Sequence, residues 1–212
     1  MTGIRTQFLS AARIAEDLLR QREVVESWKE PSALAEFSVG GLAGHLAYQV
    51  LAVRQALTEP EPTQETVPLL GHYDRVEWIE GGLDADINVR IRGGGEELGA
   101  PGPQALVTQL DAAITDLAAG LPALPNLPVH IPLWRDWSLL LDDFLTTRIL
   151  ELTVHCDDLA VSVGIDTPDI PDDVYDTVLS LLARLSAKRH GPVAVLRALS
   201  RSERSPGDIA AM

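Results

Sequence analysis

Residues 148–164 read RILELTVHCDDLAVSVG, and within them Glu151 and His155 stand four positions apart. Leu150, Val154 and Val161 mark an apolar stripe at helical spacing, with Leu152 and Leu159 beside it. Positions four apart on a helix lie one above the other on the same face. A carboxylate and an imidazole so placed form either a solvated hydrogen bond or two prongs of a metal clamp. Asp158, three residues beyond His155, can accept a hydrogen bond from that ring and orient it. Arg148, three residues before Glu151, can hold that carboxylate or a substrate anion. For both, an ordinary surface salt bridge is the plainer alternative. Cys156 directly follows His155, about 100° further around a helix, and reads as a small packed residue, not a ligand.

A third donor has to come from elsewhere. Cys156 is the single cysteine, which excludes an intrachain disulfide and an all-cysteine zinc site. Any metal must therefore use histidine and carboxylate. His45 lies in GLAGHLAYQV among apolar and small residues. A buried imidazole needs partners for both ring nitrogens, and a backbone carbonyl or water supplies them more often than a metal does. In a bundle that sets this helix beside the one at 142–163, His45 would meet Glu151 and His155 across the core. Two histidines and one carboxylate with a vacant fourth position form the donor set of catalytic zinc. His72 and His130 fall in expected loops and His190 at a helix end, where surface roles are expected. Trp134 and Trp137 flank Arg135 and Asp136 in an expected turn, with core or lid packing as the default and pocket lining as the alternative.

The elements that must carry these residues are mainly helical. Ile4, Phe8, Ala11, Ala12, Ala15, Leu18, Leu19, Val25 and Trp28 recur at helical spacing, so one long amphipathic helix is expected over 3–28. Ser38 is placed to cap a second helix over 39–57, whose glycines require close packing. A third is expected over 103–119 with Pro103 in its first turn, a fourth over 142–163, a fifth from Pro171, and a short one in VAVLRALSR. Between them, 58–66 reads as loop, HYDRVEWIEGGL as a short helix, DINVRIRG as a short strand or extended loop, and GGGEELGAPGP as loop. VHIPLWRDWSLLL has room for one or two short strands. Few strands and four or five substantial helices give a mostly α chain, arranged as an up-and-down bundle.

With 212 residues, 46% of them hydrophobic, the chain is expected to form a single domain over 1–212, with 190–212 a short C-terminal extension. Charges interrupt every apolar run, and the N-terminus lacks a signal-peptide core, so a cytoplasmic protein without membrane spans is expected. The net charge is −14, with 5 basic and 22 acidic residues over 61–180. Such a body repels phosphate backbones and argues against nucleic-acid partners. Solubility is the plain reading of the charge, and steering of a cationic partner the alternative.

Arg148, Glu151, Val154, His155, Asp158, Leu159 and Ala160 form a pattern, R-x-x-E-x-x-V-H-x-x-D-L-A, that resembles the mycothiol-dependent maleylpyruvate isomerase family. That family belongs to the wider DinB-like metal-binding bundles. SVGGLAGHLA is similar to the family's earlier motif, often W-x-x-x-D-L-x-x-H, although this chain has Gly41 where the acid often sits and lacks the tryptophan. The resemblance implies a DinB-like up-and-down four-helix bundle with extra short helices and one or two short strands. It implies a divalent metal, usually zinc, on His45, Glu151 and His155, with Arg148 and Asp158 supporting catalysis. The open coordination position would take the thiolate of mycothiol, the small thiol of actinobacteria. The partners are then that thiol and a small electrophile, which is either substituted or isomerised. Related bundles often dimerise, so a homodimer is compatible with the resemblance. The isomerase itself carries a further C-terminal domain at its active site, and this chain is expected to end soon after the bundle, so isomerisation of maleylpyruvate itself is not expected, while thiol-dependent chemistry on another electrophile stays open. The rival readings are a non-catalytic metal- or small-ligand-binding bundle acting as a stress-linked scaffold, and a bundle whose polar residues satisfy each other without metal.

Overall fold

Apolar residues at a period of 3.6 fold as helices that must bury one stripe, and here four such helices bury their stripes against one another. In the computed structural model, which describes residues 3–79 and 81–212, these are α1 (Gly3–Leu19), α3 (Val39–Ala56), α6 (Pro103–Gly120) and α7 (Leu141–Val163). α1 and α3 each pack against α6 and α7, which closes a four-helix bundle. Phe8, Leu19, Leu42, Leu46, Leu110, Ile114 and Phe144 are fully buried in its core. The ends follow local chemistry. Ser38 Oγ accepts from Gly41 N at 2.9 Å to cap α3. Asp142 and Asp143 occupy the first turn of α7, and Gly164 ends it with a left-handed φ of 71°. α8 (Asp172–His190) packs on α7 and α1, and α9 (Pro192–Ser200) packs on α8. Among the described residues, no helix is long and apolar enough to cross a membrane.

Two expectations give way to packing. The helix expected over 3–28 breaks after Leu19 and resumes as α2 (Arg22–Glu26). Neither Arg20 nor Gln21 is a helix breaker; the turn instead lets Trp28 reach sideways, where its Nε1 donates to Gly99 O at 3.1 Å. The span 86–99, expected as strand and loop, is α5 (Asp86–Gly99). Its glycines face those of α3: a Cβ on Gly95 would stand 2.6 Å from Gly41 O, and one on Gly99 would stand 2.2 Å from Gly40 O. Glycine weakens an isolated helix by about 1 kcal/mol, and here that cost is offset by backbone-close packing against α3. Glu96 on α5 completes the α3 cap, accepting from Ser38 N and Ser38 Oγ, both at 2.8 Å.

The short helix expected in 72–83 lies earlier, as α4 (Leu69–Tyr73); Glu80, within the expected span, lies outside the described residues. A small sheet in the order β1-β3-β2 joins β1 (Glu65–Thr66), parallel, and β2 (Pro128–Val129), antiparallel, to β3 (Trp137–Leu140). The register pairs Glu65 with Trp137 and Val129 with Leu139. Because β3 runs directly into α7, it fixes where Trp137 sits relative to the bundle. At the other end, Ser186 Oγ and His190 Nε2 donate to Ile209 O and Ala210 O, at 2.6 and 2.8 Å, and fold the last residues back along α8.

Candidate metal centre

α3 and α7 are neighbours, and their contact brings together residues about a hundred positions apart. One donor atom each from His45, Glu151 and His155 lies within 4.8 Å of the other two. The rings of His45 and His155 meet edge to face, with centroids 4.7 Å apart. His155 Nε2 is 3.1 Å from Glu151 Oε2, and its Nδ1 is 2.9 Å from Asp158 Oδ2. Zinc bonds of about 2.0–2.2 Å in tetrahedral geometry set neighbouring donors about 3.4 Å apart, so the Glu151–His155 spacing suits a shared cation. Asp158 occupies the outer position that fixes a ligand imidazole's tautomer. The side chains of His155 and Glu151 are 14% and 13% exposed, enough to meet a cavity and little else.

His45 is held by a relay from α7. Arg148 Nη1 donates to Gln49 Oε1 at 2.5 Å, which turns the Gln49 amide nitrogen toward His45. That nitrogen donates to His45 O at 3.0 Å and lies 3.3 Å from His45 Nε2. His45 Nε2 therefore presents a lone pair, and the longer of the two contacts is the one a cation would displace. Arg148 Nε also donates to Thr147 Oγ1 at 3.0 Å, and the guanidinium lies 5.3 Å from the centre of the Phe144 ring. Arg148 thus departs from one expected role: its hydrogen bonds go to Gln49 and Thr147 rather than to Glu151.

Two of the three charge states, those of His45 and Glu151, suit ligands as they stand. Burial, reinforced by the charge of His155, pushes the His45 pKa down to about 3, so this imidazole stays neutral. Burial opposes ionisation of Glu151, but the hydrogen bond and charge of His155, with Arg148 and His45, outweigh it and hold the carboxyl at about 2. Burial also opposes protonation of His155, yet its bonds to Asp158 and Glu151 prevail and raise it to about 9, so a cation bound here would displace the proton on Nε2. Cys156 is 1% exposed, packed as expected, and burial lifts its thiol to about 12.

His45, Arg148, Glu151, His155 and Asp158 open onto a cavity of about 2100 Å³, walled by α3, α5 and α7 and by the segment carrying Trp134 and Trp137. The two indoles stack with centroids 6.2 Å apart and are nearly buried, so they are core and cavity wall at once. Of the five basic residues in 61–180, four line this cavity: Arg75, Arg90, Arg135 and Arg148. An acidic body thus concentrates its scarce cations around one hollow, although Arg75 and Arg135 also pair with Glu65 and Glu77.

Residues 11–160 match the mycothiol maleylpyruvate isomerase N-terminal domain. The chain belongs to that family. No curated protein and no solved structure matches it. Membership links this isomerase-family bundle to mycothiol. Two residues of the cavity lie outside the sequence-based reading. His72, expected on a surface loop, is 2% exposed on α4, because Trp137 on β3 closes over it. Gln49, which sequence analysis did not single out, sits one turn after His45, a spacing that could have revealed it. His130 accepts its expected loop setting, bonding Trp134 O through Nε2 at 2.7 Å, and His190 sits at the end of α8.

Proposed function

We propose that this protein is a metal-dependent enzyme that uses mycothiol as the nucleophile toward a small electrophile, transferring the thiol or isomerising the acceptor. The observation that carries the reading is the meeting of His45, Glu151 and His155 in one cavity of a mycothiol-linked family. A divalent cation there, zinc by the chemistry of two imidazoles and one carboxylate, supplies a Lewis acid that favours thiolate over thiol near neutral pH.

The protein's own groups do the rest. Asp158 holds Nδ1–H of His155 and directs Nε2 at the donor cluster. Glu151 stays ionised and His45 neutral, so both are ready to donate without first losing a proton. Gln49, tied to Arg148, fixes the rotation of His45. Trp134, Trp137 and Tyr48 present apolar walls that exclude water from the reacting sulfur. Arg148 and the arginines around the cavity favour an anionic acceptor.

The test is direct. Protein purified without an affinity tag should carry about one equivalent of divalent metal, lost in His45→Ala and His155→Ala. The metal-loaded protein should form mycothiol conjugates with some member of an electrophile panel. Thiol binding without turnover would leave a binding module, and metal-replete protein that neither binds nor consumes thiol would overturn the reading.

A further inference from the structure

The cavity meets a second imidazole whose chemistry its neighbours dictate. Trp137 Nε1 lies 3.0 Å from His72 Nδ1. An indole nitrogen only donates, so Nδ1 must be the unprotonated acceptor, and the proton of the neutral ring sits on Nε2. Among the described residues, Trp137 is the ring's sole hydrogen-bond partner. His72 also lines the cavity, so Nε2–H is the polar group it has to offer there. The ring cannot turn away easily. Tyr73, Trp134 and Trp137 surround it, with centroids 5.0, 5.1 and 5.9 Å distant. Trp137 is itself fixed by its place on β3, hydrogen-bonded into the sheet opposite Glu65. Burial, then the charge of Arg148, keeps His72 neutral down to about pH 3.

We propose that His72 donates its Nε2–H to an oxygen of the electrophilic substrate, a carbonyl or carboxylate oxygen conjugated to the carbon that sulfur attacks. This rests on the thiol-dependent reading of the site. As the S–C bond forms, the π pair of the acceptor's double bond shifts toward that oxygen, which gains negative charge. The Nε2–H bond shortens toward the oxygen and keeps its proton. In an addition, the proton given up by the thiol goes to the neighbouring carbon. In an isomerisation, the pair returns after rotation and the S–C bond breaks. A preorganised neutral donor meets charge that develops only during reaction, the condition under which such a donor accelerates most. The metal-ligand cluster and this donor line the same cavity, and the charges of Arg148 and Glu151 both act on the His72 ring.

The tautomer is tested without any turnover. In protein labelled with 15N-histidine, His72 should show protonated Nε2 and bare Nδ1, unchanged from about pH 5 to pH 8, and Trp137→Phe should release that pattern. Fumarate, as a conjugated carboxylate probe, should shift the Nε2–H resonance of the wild type. Two substitutions then separate donor from scaffold. His72→Asn keeps an acceptor for Trp137 but has nothing where Nε2–H stood, whereas His72→Gln can place an amide N–H near it. With a conjugated carbonyl acceptor, kcat should fall about a hundredfold in His72→Asn and recover in part in His72→Gln. Metal content, the KM for thiol and turnover of a simple alkyl halide should hold in both. A proton on Nδ1, a resonance indifferent to fumarate, or equal loss on the alkyl halide would overturn the proposal. If the wild type turns over nothing, the enzymatic reading fails, and the tautomer and fumarate results still decide whether His72 is an oxygen-anion donor.

Discussion

Adding one methyl group at Gly44 should pry α5 from α3. A Cβ there would stand 2.1 Å from Gly95 O and 2.8 Å from Gly99 N, both backbone atoms that no rotamer can move. Ordinary contact begins near 3.4 Å, so α5 must withdraw by roughly 1.3 Å, the difference between 3.4 and 2.1. Overpacking of this kind costs about 1–3 kcal/mol, against a helix-propensity gain of about 1 kcal/mol for alanine over glycine. The net loss is about 0–2 kcal/mol, a fall in Tm of up to about 8 °C for a chain of this size. Gly93→Ala on α5 is the control, because a Cβ there meets nothing within 4 Å. It should instead stabilise by about 0.5–1 kcal/mol. Urea unfolding followed by circular dichroism, with Tm in parallel, compares the two. Gly44→Ala should also weaken metal binding, since α5 walls the cavity next to His45. Equal effects of the same sign at both positions would refute the account of how α5 is held.

Asp158→Asn should leave the fold intact and lower metal affinity about 10–100-fold, read by chelator competition. Metal-free protein should lose stability as pH falls below 6.5, because His45 and His72 are held neutral, at about 3, in the folded chain and protonate freely once unfolded. The unfolded state then binds more protons, so stability drops by about 1.4 kcal/mol per pH unit for each histidine. His72→Asn should roughly halve that slope between about pH 6 and 5, as measured by urea midpoints. Native Cys156 should resist iodoacetamide at about pH 8 and react fully once unfolded, a contrast that mass spectrometry reads directly. Ser38→Ala should cost about 0.5–2 kcal/mol through loss of the α3 cap, with unfolding midpoints as the check.

What could be read along the chain was what neighbouring residues decide. The cores of α1, α3, α6, α7 and α8 follow from apolar spacing, and Ser38, Gly164 and the Asp172–Asp173 pair mark ends through chemistry internal to a few residues. The Glu151, His155 and Asp158 cluster is also local, since helical rise alone brings positions three and four apart together. The family motif is written in the same segment. α5 was illegible because GGGEELG, taken alone, disfavours a helix, and only the backbone of α3 at Gly40, Gly41 and Gly44 gives its glycines a use. The break after Leu19 is likewise set by where Trp28 finds Gly99.

The site divides the same way. Residue types named a possible ligand at His45, but only the side-by-side packing of α3 and α7 sets its imidazole against the pair. His72 looked like a surface residue until Trp137, sixty-five positions later, closed on it. Sequence alone determined the helices and the one-turn cluster, because helical hydrogen bonds and side-chain spacing are short-range. The tertiary structure decided which histidines are buried, which face one another and which tautomer they hold, because burial and long-range hydrogen bonds exist only once distant elements touch.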